Sequence, residues 1–224
     1  MMPVNWDNED LLINREERVA IMVIDGKCSE EDAQIMRDTY GPQELRVMPN
    51  GIDARAIRFV TPKERIQIQQ ALGKDPQRWM ALFMGSDHAP NREAVNAIVA
   101  VAPQCPEIDF VVMGSVCKCL EGQSLPSNVR CTGLVSDAEK AQYLAMADIG
   151  LNPMKGGSGT NLKMAEYAAA GLWMVSTEYG ARGFWDCGVH YTPVSWETLA
   201  SDLNVLPCSH PRNEKTSLIK PMFR

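Results

Sequence analysis

Three short apolar runs, at residues 79–84, 109–113 and 129–132, each end in a glycine: Gly85, Gly114 and Gly133. Helical patterns alternate with them. Pro90-Asn91 opens a helix in which Ala94, Ile98 and Val101 recur at helical spacing. Ser136-Asp137-Ala138-Glu139 has capping-box spacing and starts a helix whose Ala138, Ala141, Leu144 and Ala145 are expected on one face. A fourth run, 148–151, leads through a glycine-rich loop into a helix that Gly171 stops. Strands at 173–177 and 189–191 follow, and Ser195 is expected to cap a last helix to about residue 203. Upstream, residues 18–24 read as a strand, 30–40 as a helix capped by Ser29, and 45–48 as a short strand. Thr61-Pro62-Lys63-Glu64 is another capping box, with proline at the first helical position, and its helix ends near Gly73. This alternation predicts an α/β fold, a parallel sheet with helices on both faces. Such sheets bind ligands at the carboxyl ends of their strands, where the glycines fall here.

Composition narrows the function. The chain of 224 residues is 45% hydrophobic and 22% charged, the balance of a soluble globular protein. Its net charge of −6 argues against nucleic acid as a partner, which needs a basic face, but leaves room for a small basic pocket. The N-terminus carries Asp7, Glu9 and Asp10 instead of a basic, then apolar, leader, and no apolar run is long enough to span a bilayer. The seven cysteines, an odd number, suggest reduced thiols in the cytoplasm, with a peripheral position at a membrane surface left open. Cys117-Lys118-Cys119 is a lone C-x-C, and His88, His190 and His210 are far apart, so no metal site is expected.

The loop before Gly171 carries the chemistry. Gly156, Gly157 and Gly159 let the backbone approach a ligand closely, and Thr160 or Asn161 can start the following helix. The free N–H groups of that helix start attract phosphate. Lys163 can add positive charge, and Glu166, one turn on, can accept two hydroxyl hydrogen bonds. Together they describe a site for a phosphorylated, polyhydroxylated ligand such as a nucleotide sugar. The bland alternative is a Gly-rich connection into a buried helix, with Glu166 a surface acid paired to Lys163.

In this order the segments resemble the donor-binding half of retaining glycosyltransferases built from two facing Rossmann-like domains. Cys28-Ser29-Glu30-Glu31-Asp32-Ala33 looks like the end of that family's first domain, and Val47-Met48-Pro49-Asn50-Gly51-Ile52-Asp53 like its hinge. Phe83-Met84-Gly85-Ser86 with Pro90-Asn91-Arg92-Glu93-Ala94 looks like the first strand, loop and helix of the second domain. Gly133-Leu134-Val135-Ser136-Asp137, Ala147-Asp148-Ile149 and residues 157–171 follow in the family's order. The resemblance implies a Rossmann-like sheet forming one half of a GT-B type enzyme. It divides the chain into a remnant of an acceptor domain (1–48), a donor-binding domain (49–204) and an irregular tail (205–224).

It also implies roles. The base would sit near Val135, Glu166 would hold the ribose, and Gly157, Ser158, Gly159 and Thr160 would hold the pyrophosphate and sugar. Gly85 and Ser86 would approach the same phosphates, with Lys155 reaching them better than Lys163 if its loop folds over the donor. The implied partners are a nucleotide-diphosphate sugar, a sugar or lipid-linked acceptor and a missing acceptor domain, with no cofactor and no nameable catalytic residue. Two departures stand out. Ser158 occupies a position where many family members have a second glutamate, and Ser86-Asp87-His88-Ala89-Pro90-Asn91-Arg92 replaces a loop with a phosphate-gripping arginine and lysine. Arg92 is either a substitute or a solvated arginine. The competing readings are a non-catalytic nucleotide-sugar-binding subunit and a dinucleotide oxidoreductase; the chain lacks the G-x-G-x-x-G that the latter needs after a strand.

Overall fold

Two capping boxes set the phase of two helices. Thr61 Oγ1 accepts from the Glu64 N–H at 3.3 Å while the Glu64 carboxylate accepts from the Thr61 N–H at 3.0 Å, and helix α1 (Pro62–Ala71) begins there. Ser136 and Glu139 make the same reciprocal pair at the start of α3 (Asp137–Met146). Between them lies α2 (Ala89–Val101), and after them α4 (Leu162–Ala170), the short α5 (Glu178–Ala181) and α6 (Leu199–Ser209). These elements come from a computed structural model that describes residues 11–14, 19–22, 34, 37–39, 52–75, 77–157, 161–184 and 190–209.

The strands are β1 (Leu11–Asn14), β2 (Val19–Met22), β3 (Trp79–Met84), β4 (Ile108–Met113), β5 (Val129–Gly133), β6 (Ile149–Asn152), β7 (Trp173–Ser176) and β8 (Thr192–Pro193). The last six form one sheet in the order β5-β4-β3-β6-β7-β8, with every pairing parallel. This is the doubly wound order. It reverses between β3 and β6, and the crevice at their carboxyl ends is the switch point where such sheets hold ligands.

Strand residues alternate between two cores. Ala81, Phe83, Phe110, Val112, Ile149 and Leu151 meet Val95 and Ile98 of α2 and Leu199 and Leu203 of α6. Leu82, Val111 and Met113 meet Leu144 of α3 and Met164 and Tyr167 of α4 on the other face. The predicted fold class is thus the observed one, and double burial explains why the strands read as unbroken apolar runs.

The second face is locked by a buried arginine. Arg65 of α1 is 3% exposed. Its Nη1 donates to Leu144 O and Ala145 O at 2.9 and 3.0 Å and also to Ala147 O. Its Nη2 donates to Val60 O, Ala170 O and Gly171 O at 3.2, 2.9 and 3.3 Å. Apart from Val60 O, which lies on the segment leading into α1, these carbonyls are at the C-termini of α3 and α4, where a cation is favoured by the helix dipoles.

Several expectations need correction. Ala138 and Ala141 of α3 are exposed and Ala145 is half-buried; the inward stripe is Lys140, Tyr143 and Leu144, continued by Ala147 at the C-cap, with Met146 also buried. Burying a larger side chain removes more apolar area from water, so Leu144 and Tyr143 set the inward face in preference to alanines. The strand expected at 189–191 begins instead at Thr192, and residues 185–189 lie outside the described residues. Ser195 and Thr198 close a turn through mutual bonds of 3.1 and 3.2 Å, so α6 starts only at Leu199. Upstream, β2 falls within the predicted strand 18–24, but it pairs antiparallel with β1, a strand not foreseen. Residues 34 and 37–39 are helical as expected, while the strand at 45–48 lies outside the described residues.

Candidate functional site

The switch point is built by close backbone approach. Gly85, after β3, donates its N–H to Met113 O at 3.0 Å and accepts from Val116 N at 3.2 Å. Gly114, after β4, has φ +102°, and a Cβ there would run into the Gly85 carbonyl. Ser86 is exposed, its carbonyl accepting from His88 N at 2.8 Å and from Asn91 Nδ2 at 3.1 Å. Gly85 and Ser86 therefore stand at the carboxyl end of β3.

Across the crevice, helix α4 lies close on the sheet. A side chain at Gly150 would collide with the Tyr167 ring, and the Tyr167 hydroxyl accepts from the Met84 N–H at 3.0 Å. Burial pushes the Tyr167 hydroxyl pKa upward, so it stays a neutral tie between α4 and the end of β3. One turn earlier on that face, Lys163 Nζ sits 4.2 Å from the centroid of the Phe83 ring and donates to Asn91 Oδ1 at 3.0 Å. No carboxylate among the described residues pairs with this half-buried ammonium. Burial drives its pKa down to about 7.

Asn161 is the residue before α4, but its side chain does not cap the helix; Nδ2 donates to Gly180 O at 3.0 Å instead. Ser158, Gly159 and Thr160 lie outside the described residues. The preceding loop is well anchored. Thr177 Oγ1 donates to Met154 O, Tyr179 hydroxyl to Gly157 O, and Trp196 Nε1 to Pro153 O at 2.8 Å. Gly157, exposed and with φ +120°, lies over Pro90 of α2.

Lys155 has partners of its own. Its Nζ lies 4.0 Å above the Trp196 ring and 3.7 Å from Glu197 Oε1. Arg92 is likewise committed, its Nε 2.6 Å from Asp87 Oδ1, which holds the Asp87 carboxyl below its usual range. Of the basic groups weighed from sequence, Lys163 is the one left over the crevice without a charged partner.

Glu166 is not paired with Lys163. Its Oε1 lies 2.5 Å from Nζ of Lys140 on α3, the two side chains being 19% and 34% exposed. Lys140 escaped sequence reasoning, as did Asn91, Tyr179 and Trp196. The one available signal was the inward stripe beginning at Lys140. Val135 is half-buried against the core of the second face, following Gly133 at φ +70° and the exposed Leu134. The C-x-C is structural in its surroundings: Cys117 Sγ donates to Val112 O at 3.2 Å and accepts from Gly133 N at 3.4 Å. Burial raises the Cys119 thiol and pushes Cys131 up to about 12.

The sequence profile of the family Glycosyl transferases group 1 matches residues 79–206, more than half of the chain. The chain belongs to that family. Among curated proteins no match is found. Among solved structures it is similar to Alr3699/HepE of Anabaena, crystallised with UDP and glucose, at 17% identity and a TM-score of 0.61, over 87% of this chain and 54% of that one. Sucrose-phosphate synthase from Thermosynechococcus elongatus gives 15% identity and a TM-score of 0.64 over 88% and 50%. The C-terminal domain of a group 1 glycosyltransferase, LpcC of Francisella tularensis, gives 19% and 0.52 over 72% and 91%. At these identities the likeness shows the fold. The chain spans about half the length of the first two, and most of the isolated C-terminal domain.

Proposed function

We propose that this chain is the donor-binding half of a glycosyltransferase that takes a sugar from a nucleotide-diphosphate sugar. The observation that carries the reading is Lys163, a half-buried ammonium at the switch point whose polar partner is the neutral Asn91 Oδ1. A diphosphate would supply the missing countercharge. The first-turn N–H groups of α4 lie beside it in sequence and add donors.

In this reading the base rests near Val135, Glu166 takes the ribose hydroxyls, and the loop through Gly157, Ser158, Gly159 and Thr160 holds the pyrophosphate and sugar. Gly85 and Ser86 line the opposite wall. Lys155 is kept at the rim by Trp196 and Glu197. The bond from the anomeric carbon to the diphosphate oxygen breaks, the acceptor hydroxyl forms the new bond, and negative charge grows on the leaving diphosphate. Lys163 and the helix N–H groups stabilise that charge. No cofactor besides the donor substrate is called for.

The acceptor, a sugar or a lipid-linked sugar, is held by an acceptor domain, in cis or on a partner. The free thiols of Cys105, Cys117, Cys119 and Cys131 suit a reducing, cytoplasmic setting, with peripheral membrane contact through the acceptor. Ser158, standing where many relatives have an acid, favours a second reading in which the chain binds donor without transferring it. Thermal shift with UDP-, GDP- and ADP-sugars tests the donor site: a saturating donor should raise Tm in the parent, and Lys163→Met should lose most of that rise. No rise with any nucleotide sugar would overturn the reading. Donor hydrolysis, present or absent, separates transfer from binding alone.

A further inference from the structure

The Lys140–Glu166 pair joins residues 26 apart in sequence, on two different helices. Two features make it selective. Glu139, the nearest acid to Lys140 in sequence, spends its carboxylate on Ser136, accepting from N at 2.9 Å and from Oγ at 2.7 Å. Lys163, one turn from Glu166, is held at Asn91 and Phe83 instead. Glu166 Oε1 thus has one cation, and Oε2 has no hydrogen-bond partner among the described residues.

A free glutamate on a helix samples several rotamers, and fixing one costs entropy when a ligand binds. Here one oxygen is already anchored in a half-buried place, and the other oxygen keeps its lone pairs for a ligand. We infer that Lys140 is a positioning residue that presets the Glu166 carboxylate for a ribose diol and so sets how strongly the site distinguishes ribose from deoxyribose. The inference rests on the donor reading above. It assigns Lys140 no contact with the reacting atoms.

The test measures affinities of UDP, GDP and ADP and of their 2′-deoxy forms by calorimetry, for the parent and for Lys140→Met, Lys140→Arg and Glu166→Gln. The parent should prefer the ribose form of the nucleotide it binds by about tenfold or more, the scale of a hydrogen bond to a charged acceptor. Lys140→Met should cut that preference to within about threefold of unity, and Lys140→Arg, which keeps a donor for Oε1, should retain most of it. A pair that merely staples α3 to α4 would weaken ribose and deoxyribose forms equally. An unchanged preference in Lys140→Met, with Glu166→Gln losing it, would overturn the inference and leave the donor reading standing. Absence of binding by all three diphosphates to the parent would remove the donor reading and this inference with it.

Discussion

Replacing Arg65 by methionine should destabilise the whole α/β unit by about 3–5 kcal/mol, the scale of several buried carbonyls losing a charged donor at once. The side chain is 3% exposed and donates to six carbonyl oxygens, at the C-termini of α3 and α4 and on the segment leading into α1. Without it, buried carbonyls lose their donors at about 1–3 kcal/mol each, less what entering water and local relaxation recover. Methionine matches the volume without the charge, so a cavity adds little. For a chain of this size each kcal/mol moves Tm by roughly 2–4 °C, giving a fall of about 6–20 °C. Arg65→Lys should lose about half as much, since three ammonium donors cannot serve six acceptors. Calorimetric or circular-dichroism melting is the assay. A fall of less than about 3 °C in Arg65→Met would show that this network contributes little, and that α3 and α4 are held by their apolar faces alone.

Glu166→Ala should weaken nucleotide-diphosphate binding about 10- to 100-fold by calorimetry, the cost of lost bonds to a charged acceptor; equal affinities would leave Glu166 no role beyond its ion pair with Lys140. Lys163 gives a pH dependence. Its pKa falls from the usual 10.5 to about 7, so between those values the unfolded chain holds a proton that the folded chain lacks, and stability should rise with pH. A bound diphosphate favours the ammonium, so donor affinity should instead fall above pH 7, by up to about tenfold per unit, and Lys163→Met should flatten both trends. Gly114→Ala should cost several kcal/mol by chemical denaturation, because its φ of +102° is strained for alanine and its Cβ meets the Gly85 carbonyl. Finally, the chain alone should bind donor with little transfer, and adding an acceptor domain should restore transfer; robust transfer by the 224-residue chain would refute that division of labour.

The parts of the fold that could be read from sequence are those decided within a few residues. The boxes at Thr61–Glu64 and Ser136–Glu139 work through bonds between positions three apart, and both formed as read. β3 was legible because burial on both faces leaves no polar alternation to confuse it. The inward face of α3 was misread because four alanine- and leucine-type positions were weighted equally, whereas buried area is set by Leu144 and Tyr143. The start of β8 was misplaced because a two-residue edge strand has almost no pattern of its own.

The charges of the site follow a different logic. Lys163 meets Asn91 across 72 residues and Glu166 meets Lys140 across 26, so no local spacing signals either contact. Sequence offered three cations for one anion site, Lys155, Arg92 and Lys163, with Glu166 for the ribose beside it. Folding pairs Arg92 with Asp87, draws Lys155 toward Glu197 and gives Glu166 its own lysine, leaving Lys163 as the one of these three cations with no carboxylate partner among the described residues. That sorting matters because the chain carries a net charge of −6, so its long-range field would repel the anionic donor proposed above. Attraction has to come from short range, where a half-buried ammonium is less screened by salt than an exposed one. The same burial that strengthens the contact lowers the pKa of Lys163. Strong local attraction and sensitivity to pH near 7 are therefore one property of this site, and neither can be engineered away without the other.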